Sequence, residues 1–246
     1  MTDSPEVFAL AVLATIFAGV SKGGFGSGAA FASSALMALV LPPMQALGLM
    51  LPLLMLIDVV SLPHYWRRWS WPESKVLLFG SIPGVALGVA LFSVANDDVL
   101  RLLIGCVALG FVLWQLWPRK QARAKLPNWV GLIAGATAGF TSFVSHAGGP
   151  PVAVFLLTRG IDKTTYQATT VLIFWVINIA KAIPYAFLGV FSLEVLIADL
   201  WLAPFAILGT WIGVKAHYLV SERVFFGLTY LLLTVTGSKL FWDALT

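Results

Sequence analysis

Apolar runs long enough to cross a bilayer alternate with short polar breaks along the whole chain. No Lys, Arg, Asp or Glu occurs from Ser27 to Ile57, from Val76 to Asn96, from Leu126 to Thr158, or from Thr164 to Ala180. A helix needs roughly 20 apolar residues to span the hydrocarbon core, and several of these runs clear that length. Breakers and charges cut the chain into elements. The first stretch runs from about Pro5 to Ser21, stops at Lys22-Gly23-Gly24-Phe25-Gly26-Ser27-Gly28, and resumes to Leu41, where Pro42 and Pro43 end it. Three further elements span about Gln45 to Tyr65, Val76 to Ala95 and Val99 to Trp117. The second half repeats this grammar. A stretch from Trp129 breaks between Ser145 and Pro151 and resumes to Leu157; elements near Tyr166–Leu188, Leu193–Val214 and Arg223–Asp243 follow.

Landmarks recur about 122 residues apart. Gln45-Ala46 matches Gln167-Ala168, and Ser70 matches Ser192. The prolines and glycines Pro83 and Gly88 match Pro204 and Gly209, one step out of register, and Arg101 with Gly105 matches Arg223 with Gly227. Four matches in order argue for an internal duplication. The expected architecture is an all-α polytopic membrane protein of two repeats, residues 1–118 and 129–246, joined by a linker at 119–128. Each repeat is a broken helix hairpin followed by three transmembrane helices.

Composition narrows the class. Charged residues make up 11% of the chain and apolar residues 59%, against about a quarter charged in soluble domains. That excludes a soluble enzyme, a nucleic-acid binder and a disordered chain. Cys106 is the lone cysteine, so neither an internal disulfide nor a cysteine metal site is expected. No metal or cofactor is implied. The start, Met1 to Glu6, is acidic and reads as mature rather than as a basic leader. The net charge of +4 reads as a topology signal. Nearly all the flexible Lys and Arg sit in the loops at 66–75, 118–127, 159–163 and 215–223, which the positive-inside bias puts in the cytoplasm. The connections at 41–44, 96–98 and 189–192 lack Lys and Arg and face outward, with the N-terminus outside. This assignment makes each broken stretch an even number of crossings and the two halves inverted repeats, a common transporter plan. Trp66, Trp69, Trp71, Trp114, Trp117 and Trp129 flank the cytoplasmic loops as interfacial anchors.

The two breaks carry the candidate chemistry. Irregular backbone at membrane depth survives only where protein or a water-filled cavity satisfies it. Each break also opens a new half-helix whose free N–H groups and positive dipole end favour an anion. Gly23, Gly24, Gly26 and Gly28, with Gly148 and Gly149, allow close backbone approach; Pro150 suits a helix start. Lys22 adds a positive charge, and Ser27, Ser145 and His146 add donors. An imidazole also offers a coupling proton near neutral pH. Small residues serve helix packing too, and Lys22 has the alternative of snorkelling to an interface.

Two more ionisable residues sit mid-element, Asp58 and Lys181, at nearly corresponding repeat positions. Charges at bilayer depth are usually paired, so both are expected to face the interior, compensating each other or the substrate. Asn178, one turn before Lys181, lines the same cavity in this reading. Glu194 and Asp199 are expected at the interface.

With these residues in view, the chain resembles the sulfite exporter TauE/SafE family of membrane permeases. The likeness rests on Ser21 to Gly28, on Leu41 to Ala46 with Leu51 to Leu54 and Asp58, and on Phe140 to Pro151 with Leu156, Asp162 and Lys163. It departs from the commoner pattern at Ser27, where a third glycine is often found, and at Ala29 to Ala32, where a proline is usual. The resemblance implies a secondary carrier for sulfite, sulfoacetate or other small sulfur-containing or carboxylated anions, with two homologous halves. Protons or sodium are the candidate coupling ions, and no nucleic acid is a partner. Competing readings are a passive anion channel on the same site, an intramembrane hydrolase pairing Ser27 with His146, and a cation carrier using Asp58. The hydrolase reading lacks the glycine two residues before the serine, where Phe25 stands. The cation reading has the wrong sign beside Lys22 and Lys181.

Overall fold

The computed structural model describes residues 4–25, 30–116, 125–217 and 222–245. Gly26, Ser27 and Gly28, Trp117 and most of the 119–128 linker lie outside the described residues. The rest is helical: α1 (Pro5–Gly24), α2 (Phe31–Met37), α3 (Pro43–Ser61) with a 3-10 turn (Leu62–Tyr65), α4 (Trp71–Phe92), α5 (Asp97–Leu116), α6 (Asn128–Ser145), α7 (Gly149–Leu156), α8 (Lys163–Phe187), α9 (Leu193–Ala216) and α10 (Glu222–Asp243). There is no strand among the described residues. Six of these helices are long and apolar enough to cross a membrane: α1, α3 with its 3-10 turn, α4, α5, α8 and α9. One boundary moves against expectation. The third long element starts at Trp71 rather than Val76, because Pro72 fits a first turn and the Ser70 hydroxyl bonds Glu73 across that turn.

Charged and polar groups are buried within an apolar core, and large apolar side chains face outward. Lys22, Asp58, His146, Asn178 and Lys181 are all buried, whereas Phe79, Leu87, Leu200 and Trp201 are exposed. That reversal suits a lipid surround, which satisfies apolar side chains and gives charges nowhere to go. Trp66, Trp69 and Trp71 form an edge-to-face ladder beside Arg67 and Arg68, as an interfacial belt would.

Two helix pairs pack backbone to backbone. A Cβ on Gly19 would fall 2.6 Å from the Thr210 nitrogen, one on Gly23 2.6 Å from the Thr210 oxygen, and one on Gly209 2.5 Å from the Ile16 oxygen. These contacts climb α1 and α9 together, so the two helices run parallel. Gly80 against Leu132, Gly84 against Ala136, Gly135 against Leu77 and Gly139 against Ser81 do the same for α4 and α6. Small residues let helices approach closely where lipid supplies no hydrophobic drive. Gly105 and Ala108 against Gly237, with Phe111 against Tyr230, run the opposite way along α5 and α10.

The start of α8 is capped by Asp162. Its carboxylate accepts the Thr165 hydroxyl at 2.5 Å and the Thr164 and Thr165 amides at 2.9 and 3.0 Å. These bonds, the hydroxyl foremost, hold its carboxyl below the usual range. A depressed acid stabilises the fold above its unfolded pKa, and that help is lost as pH falls through the folded value. Amide exchange at Thr164 and Thr165 should therefore be protected at neutral pH and lose protection on acidification. Asp162→Asn should keep most of the cap and flatten the pH response; an unchanged pH profile in that variant would refute the assignment.

Candidate functional site

The end of α1 leaves carbonyls with no partner in their own helix, and three side chains take them. Gln167 Nε2 donates to the Lys22 oxygen at 2.6 Å, the Tyr65 hydroxyl to the Gly23 oxygen at 2.7 Å, and His217 Nδ1 to the Gly24 oxygen at 2.7 Å. Lys163 Nζ in turn donates to the His217 oxygen at 2.8 Å. The Lys22 side chain points the other way, into the interior. Its ammonium lies 2.6 Å from Asp58 Oδ1 and donates to the Leu54 oxygen at 3.3 Å. Asn178 Nδ2 donates to Asp58 Oδ2 at 2.8 Å. Both oxygens of this fully buried carboxylate are thus engaged. Of the two expected arrangements, Asp58 and Lys181 compensating each other or the substrate, the direct pair is not formed; both face the interior and Asp58 pairs with Lys22. Lys22 takes Asp58 because α1 ends beside the later turns of α3.

The end of α6 is built differently. His146 caps it in the left-handed region (φ 57°), its own N–H bonding back to the Ser142 oxygen at 3.0 Å. Its Nε2 lies 3.1 Å from the Leu47 oxygen, so that nitrogen carries the hydrogen. Nδ1 is then the acceptor, and Lys181 Nζ reaches it at 2.8 Å. Lys181 also donates to the Ser142 oxygen at 2.7 Å and the Ser142 hydroxyl at 3.1 Å. All three ammonium hydrogens meet neutral acceptors. Among the described residues no carboxylate stands within ion-pair distance of Lys181. The cluster of Lys22, Asp58, Asn178, His146 and Lys181 therefore holds two ammonium groups and one carboxylate.

A cavity of about 500 Å³ runs along α7 from Leu157 and Ile161 to Pro150. Gly24 and Phe25 of the first break border it, as do Gln167, Lys163 and His217. Both breaks thus open on one cavity, though not at one height. His146 meets α3 at Leu47 and Lys22 meets it at Leu54, a stagger of about 10 Å at 1.5 Å per residue. The expectation of two amide-lined helix starts facing one midplane point changes accordingly. Pro150 and Pro151 remove two of α7's first N–H groups. Gly148 packs under Phe174, where a Cβ would fall 2.6 Å from the ring, and Gly23 and Gly24 pack on α9. These glycines serve helix contact. The positive character of the core comes from Lys22 and Lys181. Ser145 is buried and donates to the Thr141 oxygen at 2.9 Å; Gly149 is buried at the start of α7. Both ring nitrogens of His146 are occupied by Leu47 and Lys181, which leaves none for a serine hydroxyl.

Gln167, Tyr65 and His217 were invisible as partners of the α1 end because their roles depend on which helices are neighbours. Asp199 is a different case. It was expected at the interface but is buried, with no partner on either carboxylate oxygen among the described residues. The buried series Val195, Ala198, Leu202 and Ala206 puts Asp199 on the inner face of α9, and that spacing was readable.

Helices apolar on the outside around a sealed, charged core and a cavity define a polytopic α-helical membrane protein. The chain belongs to the sulfite exporter TauE/SafE family, whose model matches residues 11–240. Membership makes it a membrane transporter. Neither the curated proteins nor the solved structures contain a match to this chain.

Proposed function

We propose that the protein moves a small anion across the cytoplasmic membrane by alternating access, the anion being sulfite, an organosulfonate or a related oxyanion or carboxylate. The observation that carries this is the charge balance of the buried cluster around α3: Lys22, Asp58 and Lys181 place two ammonium groups against one carboxylate, with only neutral acceptors around Lys181. A buried charge without a partner is costly, and a bound anion supplies the partner. Lys22 and Lys181 provide the attraction; Asp58, Asn178 and His146 hold them in place. The backbone at Gly24 and Pro150 shapes the end of the path, with Ser145 and Gly149 behind it.

The packing supports a duplicated, inverted plan with halves at 1–118 and 129–246. α1 lies along α9 as α6 lies along α4, and α3 meets α8 as α5 meets α10. Lys22 precedes Asp58 by nearly the interval at which His146 precedes Lys181. Parallel running of α1 with α9 and of α4 with α6, against the antiparallel α5 and α10, supports halves of opposite sense. The basic loops around Arg67, Arg68 and Arg159 support a cytoplasmic assignment for that side, hence an outside N-terminus.

Purified protein in liposomes should give saturable uptake of labelled sulfite or of small organosulfonates above protein-free vesicles. Folded protein with no flux for any of these anions would overturn the proposal.

A further inference from the structure

Lys181 is wholly buried, and its three hydrogens meet only neutral acceptors. The carboxylate of this cluster, Asp58, is already taken, by Lys22 on one oxygen and Asn178 on the other. His146 is locked as a neutral ring by its bond to Leu47, with a lone pair aimed at the ammonium. An ammonium in such a place is neutralised in two ways. It gains an anion beside it, or it gives up a proton, and the imidazole 2.8 Å away is a base able to take one.

We propose that Lys181 and His146 form a proton site that couples the anion to one proton, resting on the anion-transport reading above. With the anion in place, Lys181 stays protonated and the charges balance. When the anion leaves, the Nζ–H bond breaks and the proton moves to His146 Nδ1. The ring then releases its Nε2 hydrogen to water once the Leu47 contact opens. One proton leaves, both residues end neutral, and no electron changes hands. A monovalent anion and a proton thus cross together without net charge.

The surrounding titratable groups are few. From α3 Asp58 faces this region, and from α1 Lys22 stands behind it. On α8 itself Tyr185 donates its hydroxyl to the Phe143 oxygen at 2.5 Å. α4 contributes Glu73, bound to Arg159, and Lys75, which is exposed; the 3-10 turn contributes His64, exposed, and Tyr65, bound to Gly23. These lie toward the other end of α8, where Tyr65 packs on Ala168 and Val171. None reaches the ammonium.

The test uses the full chain in liposomes with a lumenal pH dye, labelled sulfite, and methanesulfonate, whose charge is constant over the working pH range. Wild type should acidify the lumen in step with anion uptake, about one proton per methanesulfonate. An inward proton gradient should speed uptake at least fivefold. Lys181→Arg, whose guanidinium keeps its proton, should lose that acceleration whatever flux remains. His146→Gln should reduce it; this second variant, with the wild-type stoichiometry, decides the matter if the arginine variant does not fold. Anion flux without proton movement, or full acceleration in the arginine variant, overturns the coupling and leaves the anion reading intact. Absence of any anion flux in folded wild type overturns both.

Discussion

Asp58→Asn should cost about 3–5 kcal/mol of stability, the penalty for stranding one member of a buried ion pair. The Lys22 ammonium would keep only the Leu54 oxygen and a neutral amide in place of its 2.6 Å partner. Both side chains are almost completely buried, so water is not at hand to compensate. Thermal unfolding in mild detergent is the measurement, and anion flux should fall to background. The double change Lys22→Met with Asp58→Leu separates the two roles. Replacing both charges by apolar groups of similar size is often neutral for stability, so the double variant should refold while remaining inactive. A single Asp58→Asn variant as stable as wild type would show that the pair is dispensable to the fold.

The second large effect is expected at the glycine contacts. Gly209→Val should destabilise at or beyond the ~3 kcal/mol upper end of ordinary overpacking. Its new Cβ would sit 2.5 Å from the Ile16 oxygen and 2.9 Å from the Ile16 Cα. Both are backbone atoms of a helix and cannot rotate away. Gly80→Val, on the α4–α6 contact, should behave the same way, with a Cβ 2.9 Å from the Leu132 Cα. Gly110→Val is the control, since a Cβ there meets nothing within 4 Å. Monodispersity on size exclusion and the thermal midpoint should separate the first two variants from the third. Equal behaviour of all three would mean that the close approach contributes little.

Most of the element order was readable because charge-free apolar runs and glycine or proline breaks are local signals. The start of α4 was misjudged for a local reason too: Glu73 and Lys75 look like loop residues, yet Glu73 is held by Ser70 and Arg159. The burial of the candidate residues was legible and their pairing less so. Lys22, Asp58, Asn178, His146 and Lys181 stand out as polar groups in apolar runs, and burial is the only outcome open to them short of an interface. Which of them pair is a matter of helix neighbours, and sequence spacing is silent on that. Repeat symmetry suggested Asp58 with Lys181, whereas the course of α1 beside α3 selects Lys22. The glycines illustrate the same limit. A residue without a Cβ accommodates a solute or another helix equally well, and only the position of α9 decides that Gly23 and Gly24 serve the helix.

The tightest seams in the molecule join one half of the chain to the other: α1 is fastened along α9, and α4 along α6. Under the proposed alternating-access cycle, blocks that keep these seams intact would be composite, each assembled from both halves of the polypeptide, and the boundary between moving parts would not coincide with the point where the proposed duplication divides the chain.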